Sequence, residues 1–255
     1  MLEVRVIPCL QLLGTSLVKT VKFGSYSYIG DPVNTVRIFN ELEVDELCIL
    51  DIRATSEGRR PNLRLLRELA EEAFMPLSYG GAVRDLDLAK EILRIGFEKV
   101  VVNSVAYDDP DFISRLADQI GRQAVIGSID VKRGFLGRFD TYSNSGTKRT
   151  GQDPVEWARR LQELGVGELL LTSMNRDGTW SGFDVEITRR VSTAVSVPVI
   201  ANGGAGTIAH IGTAVREGGA SAVALGSMVV FQSKGMGVLV SFPDPRALKG
   251  ELWKK

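Results

Sequence analysis

Eight short apolar runs, each followed by a stretch of different periodicity, constrain this chain more than any other feature. The runs at 4–10, 46–51, 76–78, 99–103, 125–130, 168–172, 199–201 and 222–225 read as strands. Segments 33–43, 63–74, 85–95, 110–120, 154–164, 185–194 and 208–217 between them read as helices. Asp31-Pro32, Asp109-Pro110 and Asp153-Pro154 set a capping acid before a proline in the first turn. The strand runs are continuously apolar, as parallel strands buried on both faces are. Strands alternating with helices predict a parallel sheet, and eight strands close as a (β/α)₈ TIM barrel. The 255 residues suit one such barrel as a single domain, 1–255.

The second half of the chain echoes the first. Gly80 and Gly203 stand 123 residues apart, as do Ser104 and Ser227, and Glu46-Leu47 precedes Glu168-Leu169 by 122. Gln11 and Asp130, at the ends of two strand runs, differ by 119. This spacing predicts two half-barrels, about 1–121 and 122–255. Each half carries a Gly-Gly turn and a second small-residue turn, where backbone N–H groups can converge on an anion. Gly80-Gly81 with Asn103-Ser104 is one such grip, and Gly203-Gly204 with Gly226-Ser227 is the other. Two grips across one mouth fit a phosphorylated small molecule with a phosphate at each end. In the alternative, only the second half binds.

Composition narrows the function. Thirty-one basic residues balance thirty-one acidic ones, which argues against a nucleic-acid or membrane-surface partner and favours a cytoplasmic protein handling a small molecule. Cys9 and Cys48 lie inside apolar runs, as reduced buried thiols do, and His210 is the one histidine. Zinc chemistry, a Ser-His-Asp triad and any cofactor or metal are therefore not expected. The strand C-termini, where this fold places its sites, carry Gln11, Asp51, Asn103, Asp130, Thr172 and Asn202. Asp51 and Asp130 could do acid–base work, position hydroxyls, or simply brace loops. Asp177 could orient a ligand and Gly178 offer it an N–H. Lys19, after a Gly-Thr-Ser turn, reads by itself as a solvated loop charge that could reach over the mouth. At the opposite strand ends stand Arg5, Glu46, Lys99 and Glu168. They read as a salt-bridge network or, more sharply, as a charged gate to a central passage, and only a complete set offsets the cost of burial.

Ile7-Pro8-Cys9-Leu10, Leu50-Asp51-Ile52 with Glu57-Gly58-Arg59, Ser128-Ile129-Asp130, Ser173-Met174-Asn175-Arg176-Asp177-Gly178 and Ala201-Asn202-Gly203-Gly204-Ala205-Gly206 resemble the cyclase subunit of imidazole glycerol phosphate synthase. The resemblance implies a duplicated barrel that takes ammonia from a glutaminase subunit at its base. The ammonia would cross the barrel and cleave and cyclise a bis-phosphorylated ribulosyl-imidazole. It also implies a gate at Arg5, Glu46, Lys99 and Glu168, and a substrate site at Lys19, Asp51, Asn103, Asp130, Thr172 and Asp177. One position departs: Gln11 stands where those cyclases carry an aspartate that works with the residue matching Asp130. An amide has no titratable proton near neutral pH, so glutamine cannot replace that aspartate in proton transfer. Ala82 and Asn202 also replace a usual glycine and serine. The runs Leu17-Val18-Lys19-Thr20-Val21-Lys22-Phe23 and Ile29-Gly30-Asp31-Pro32-Val33-Asn34 are similar to glycosyl amidation-associated homologues of surface-polysaccharide loci. That similarity implies ammonia supply to an ATP-dependent sugar amidotransferase, with weak or absent cyclase activity. A working cyclase of histidine biosynthesis and a non-catalytic glutaminase-activating scaffold stay open beside it.

Overall fold

The computed structural model describes residues 4–254. Eight parallel strands close into a barrel: β1 (Arg5–Leu13), β2 (Leu47–Asp51), β3 (Leu77–Gly80), β4 (Lys99–Val102), β5 (Val125–Arg133), β6 (Glu168–Ser173), β7 (Val199–Asn202) and β8 (Ala222–Leu225). Each pairs in parallel with the next, and β8 returns to β1. Outside lie α1 (Pro32–Glu41), α2 (Leu63–Glu72), α3 (Leu86–Ile95), α4 (Asp111–Ile120), α5 (Pro154–Leu164), α6 (Val185–Ser192), α7 (Ile208–Arg216) and α8 (Pro245–Leu252). The Asp-Pro starts work as caps. Asp31 accepts from the Asn34 N–H at 2.8 Å, Asp153 from the Val155 N–H at 2.8 Å and Asp109 from the Phe112 N–H at 3.3 Å. Among the described residues no helix is long and apolar enough to cross a membrane.

The structure corrects several expected boundaries. Strands β1 and β5 do not stop at Gln11 and Asp130 but run on to Leu13 and Arg133. Each then folds back as an antiparallel hairpin, Ser16–Thr20 with Tyr26–Gly30 and Phe139–Ser143 with Lys148–Arg149. Segments that read as connecting loops are therefore paired structure above the barrel. Strand β3 lies at Leu77–Gly80, beyond the expected 76–78, because a glycine can end a strand where two neighbours approach closely. A Cβ at Gly80 would come within 2.9 Å of both Leu50 and Val101 side chains. Short helices at Ser104–Asp108 and Ser227–Val230 follow β4 and β8, and α8 starts on the same Asp-Pro signal, at Asp244.

Period-two alternation divides the barrel into two cores. Outward side chains such as Val6, Leu12, Leu47, Ile49 and Leu171 pack beneath the helices. Inward ones, including Ile7, Cys9, Cys48, Ile126, Leu170 and Ala224, fill the axis as a separate apolar plug. Each fully buried aliphatic contributes about 1.5–3 kcal/mol. Cys9 and Cys48 are free thiols in register on β1 and β2. A hydrogen bond with Cys48, and then burial, raise the Cys9 pKa well above the ordinary thiol value, so Cys9 stays protonated and unreactive.

Candidate functional site

The same inward parity that builds the plug sets polar residues above and below it. Below, Arg5 donates to Glu46 at 2.6 Å and to Glu168 at 3.0 Å. Lys99 contacts Glu46 at 3.0 Å and Glu168 at 3.2 Å. Each base meets both acids and each acid both bases, so the ring is complete. Burial opposes the Arg5 charge, yet Glu168 and Glu46 outweigh it and hold the guanidinium above its usual pKa. Glu46 is the most buried member at 5 % side-chain exposure, against 28 % for Arg5. Glu46→Gln leaves two cations on one remaining carboxylate. We expect about 2 kcal/mol lower stability by urea unfolding, below the usual cost of breaking a buried pair because Arg5 is partly solvated.

Above the plug lies a cavity of about 560 Å³, within the range of small-molecule sites. Gln11, Asp51, Gly80, Gly81, Asn103, Ser104, Asp130, Thr172 and Asp177 all line it, as does Asn202. Asp130 is half-buried, and the Asn103 side-chain amide donates to it at 3.1 Å. Burial, and then the charge of Asp177, push its pKa up to about 7, with the Thr172 hydroxyl holding it back in part. That value suits a general acid or base at neutral pH. Asn202 donates to the Thr172 hydroxyl at 3.1 Å, extending the polar layer to β7. The Asn103 Oδ1 is buried without a hydrogen-bond partner among the described residues.

The raised carboxyl has a cost in stability with a definite sign. A carboxyl whose folded pKa exceeds its unfolded value of about 3.9 gives stability that is complete only below that value and is lost as pH rises through about 7. Asp130→Asn is therefore expected to be more stable than the parent at pH 8, by about 2–4 kcal/mol, and to differ little near pH 4. Urea denaturation at the two pH values checks this. A difference independent of pH would show that the carboxyl titrates as it does in the unfolded chain.

The remaining predicted residues are placed unevenly. Gln11 Oε1 accepts the Thr20 backbone N–H at 2.8 Å, fastening β1 to the hairpin that follows it. Lys19 is no solvated loop charge: it is 5 % exposed and reaches Asp177 at 2.7 Å. Thr20 donates its hydroxyl to the other oxygen of Asp177 at 2.8 Å, so the hairpin is tied to the loop after β6. Asp51 is fully engaged, accepting from both terminal guanidinium nitrogens of Arg59 at 2.7 Å and from the N–H groups of Arg53 and Ala54. Its hydrogen bonds raise the Arg59 pKa, and it braces the loop beside the cavity.

The two glycine grips differ. Gly80, Gly81 and Ser104 stand on the cavity wall. Gly81 holds φ +137°, where a Cβ would strike Asp51 at 2.7 Å. The Ala82 N–H is taken by the Thr55 hydroxyl, and the Ser104 hydroxyl accepts the Asn144 N–H. Gly203, Gly204, Gly226, Ser227 and Gly178 are not part of the cavity wall. Gly204 is clamped to Gly182, whose N–H donates to its carbonyl at 2.8 Å. A Cβ on Gly178 would meet the Thr20 carbonyl at 2.5 Å, and one on Gly226 would meet the Lys19 stem at 2.7 Å. Asn103 and Gly226 precede the two short helices without any side-chain cap. Sequence reasoning missed Thr20, Tyr26, Arg53, Arg84 and Lys148 as wall residues. Three of them stand on or beside the hairpins, which carry no barrel-strand signature. Among the described residues no three His, Cys, Asp or Glu side chains converge in a way that could hold a metal ion.

Comparison with known proteins agrees with this geometry. The model of the family described as histidine biosynthesis protein matches residues 5–234. A Pseudomonas aeruginosa protein, provisionally named imidazole glycerol phosphate synthase subunit hisF2, is 48% identical over 248 residues, covering 97% of this chain and 99% of the relative. A Leptospira borgpetersenii protein, provisionally named as a HisF subunit, is 44% identical over 245 residues, 96% of each chain. The Alkaliphilus metalliredigens imidazole glycerol phosphate synthase subunit HisF is 44% identical over 228 residues, 89% of this chain and 90% of its own. The chain belongs to the histidine biosynthesis protein family, as a homologue of the HisF subunit of imidazole glycerol phosphate synthase.

Proposed function

We propose that this HisF homologue docks a glutaminase at the base of its barrel and passes ammonia along the axis to the mouth, while working poorly or not at all as a cyclase. Its ammonia serves an ATP-dependent sugar amidotransferase in lipopolysaccharide or flagellar glycan modification. The observation that carries this reading is the contrast between the two ends. The ring at Arg5, Glu46, Lys99 and Glu168 is complete, whereas the mouth sets a tuned Asp130 in one cavity with an amide, Gln11. The hairpins after β1 and β5 and the short helices after β4 and β8 support two duplicated half-barrels.

The reading assigns definite roles. Neutral ammonia can cross an apolar plug that turns back ammonium, because an unpaired charge there is costly. Docking of the glutaminase parts at least one ion pair of the ring, and Lys99, the single ammonium among its members, is the side chain suited to swing. At the mouth Gly80, Gly81 and Ser104 retain a phosphate site beside the uncapped turn at Asn103, and Gly203, Gly204, Gly226 and Ser227 a second one behind Lys19. Asn103, Thr172 and Asp177 position a bound ligand against Asp130. Cleavage and cyclisation need a proton taken and a proton given, and of the two facing positions 11 and 130 only Asp130 carries a carboxyl.

Turnover of the bis-phosphorylated ribulosyl-imidazole with saturating ammonium salt tests the catalytic half of the reading. The expected rate is about 10²–10⁴-fold below that of a cyclase with both carboxylates, the usual contribution of one acid–base group. A rate equal to such a cyclase would return the chain to histidine biosynthesis.

A further inference from the structure

Three segments above the barrel mouth share a composition that nothing so far explains. They are the first hairpin turn with the start of its return strand, 21–28, the second hairpin turn with the end of β5, 132–138, and the loop at 232–240 after β8. Each carries exposed apolar side chains at or beside its turn: Tyr26 and Tyr28, Phe135 and Leu136, Met236 and Leu239. Phe135 is 105 % exposed and Leu136 91 %, more open than any core function allows. The same segments hold Lys22, Lys132, Arg138 and Lys234, all exposed and in no ion pair among the described residues. They contain no Asp or Glu, although acids and bases balance at 31 each over the whole chain.

A small phosphorylated ligand does not account for them. Phe135, Leu136, Met236 and these four cations lie outside the cavity wall, although Tyr26 links the first tip to it. Exposed aromatic and aliphatic tips with flanking positive charge make a surface that loses water readily and selects an acidic counterpart. Ammonia leaving the mouth into neutral water becomes ammonium and ceases to be a nucleophile, so a passage that ends here needs a protein lid.

We infer that the three loop tips form a docking face for the enzyme that consumes the ammonia, a protein presenting an acidic surface with apolar recesses to seat Phe135 and Leu136. This inference rests on the delivery reading above. The four tip cations steer the approach and the apolar tips hold the complex, closing the exit around the cavity.

The test uses the full chain with its glutaminase bound, and the purified ATP-dependent sugar amidotransferase as probe. By sedimentation velocity the wild type is expected to form a complex that weakens as salt is raised. The double variant Phe135→Asp, Leu136→Asp is expected to bind at least about tenfold more weakly, as loss of an anchoring aromatic does. Glutaminase binding at the base should be unchanged, which shows that the variant is folded. Absence of a wild-type complex, or equal binding by the variant, overturns the inference. So does tip-dependent binding to phosphatidylglycerol vesicles, or tip-dependent self-association, in place of the enzyme complex. If the complex forms through the tips but glutamine nitrogen never reaches product, the delivery reading fails and the docking face stands. If delivery is efficient and indifferent to the tip variant, the reverse holds.

Discussion

Gln11→Asp is expected to raise turnover of the bis-phosphorylated ribulosyl-imidazole by about 10²–10³-fold with ammonium as nitrogen source. The physical case rests on what surrounds the position. The Thr20 N–H now donates to the Gln11 side-chain carbonyl oxygen at 2.8 Å, and a carboxylate that keeps this hydrogen bond is favoured in its charged form. Burial of its carboxyl, and then the charge of Asp177, already push the Asp130 pKa up to about 7. A second negative charge across the cavity would push it higher still, leaving position 11 as base and Asp130 as acid. Two carboxyls with pKa values driven apart are the usual arrangement for giving and taking a proton at one pH. Steady-state kinetics check this, with unfolding curves to confirm that the shorter side chain has not released the hairpin. No gain in a folded variant would mean that Gln11 is not the lesion and that the rest of the mouth has also drifted.

Lys19→Met is expected to destabilise the protein by about 3–5 kcal/mol, the cost of stranding a buried charge. Lys19 and Asp177 are 5 % and 7 % exposed in their side chains and 2.7 Å apart. The lysine also donates to the Thr20 carbonyl at 2.8 Å, and its stem lies against Gly226. Methionine keeps the apolar length and removes only the charge. Adding Asp177→Asn should recover most of the loss, because removing both partners leaves no uncompensated charge. Urea denaturation of the two single variants and the double variant gives the coupling directly. A loss below about 1 kcal/mol for Lys19→Met would place the pair among surface ion pairs.

That pair also shows where reading the sequence ends. The eight strands and most helix bounds were legible because each apolar run and each Asp-Pro cap acts locally. The basal ring was legible too: Arg5, Glu46, Lys99 and Glu168 begin their strands, and alternation turns all four inward. Lys19 was not, since its partner Asp177 lies 158 residues away. A lysine after Gly14-Thr15-Ser16 looks solvated until the loop after β6 closes over it. The hairpins stayed hidden for a related reason. Their strands pair above the barrel, so Tyr26-Ser27-Tyr28 carries no buried-strand pattern, being exposed along its length. The second glycine grip was found as a motif, but its packing against Ser173 and Gly182 depends on the loop after β6, remote in sequence.

Asp51 gives the opposite lesson. As a carboxylate at a strand end it fits a reacting group, a hydroxyl ligand and a loop brace equally well. Four hydrogen bonds, two of them from Arg59, decide for the brace. Gln11 is the one position where the residue type itself carried the conclusion, because no geometry gives an amide a titratable proton.

The central claim, a delivering barrel with impaired chemistry, is tested most directly by tracing nitrogen. The chain, its glutaminase and the sugar amidotransferase are supplied with amide-¹⁵N glutamine in the presence of excess unlabelled ammonium. The account predicts that the amidated sugar carries predominantly ¹⁵N, and that Glu46→Gln, which disturbs the ring, lets the unlabelled pool in. Product labelled only in proportion to the bulk ammonium, with wild type and Glu46→Gln alike, would contradict it.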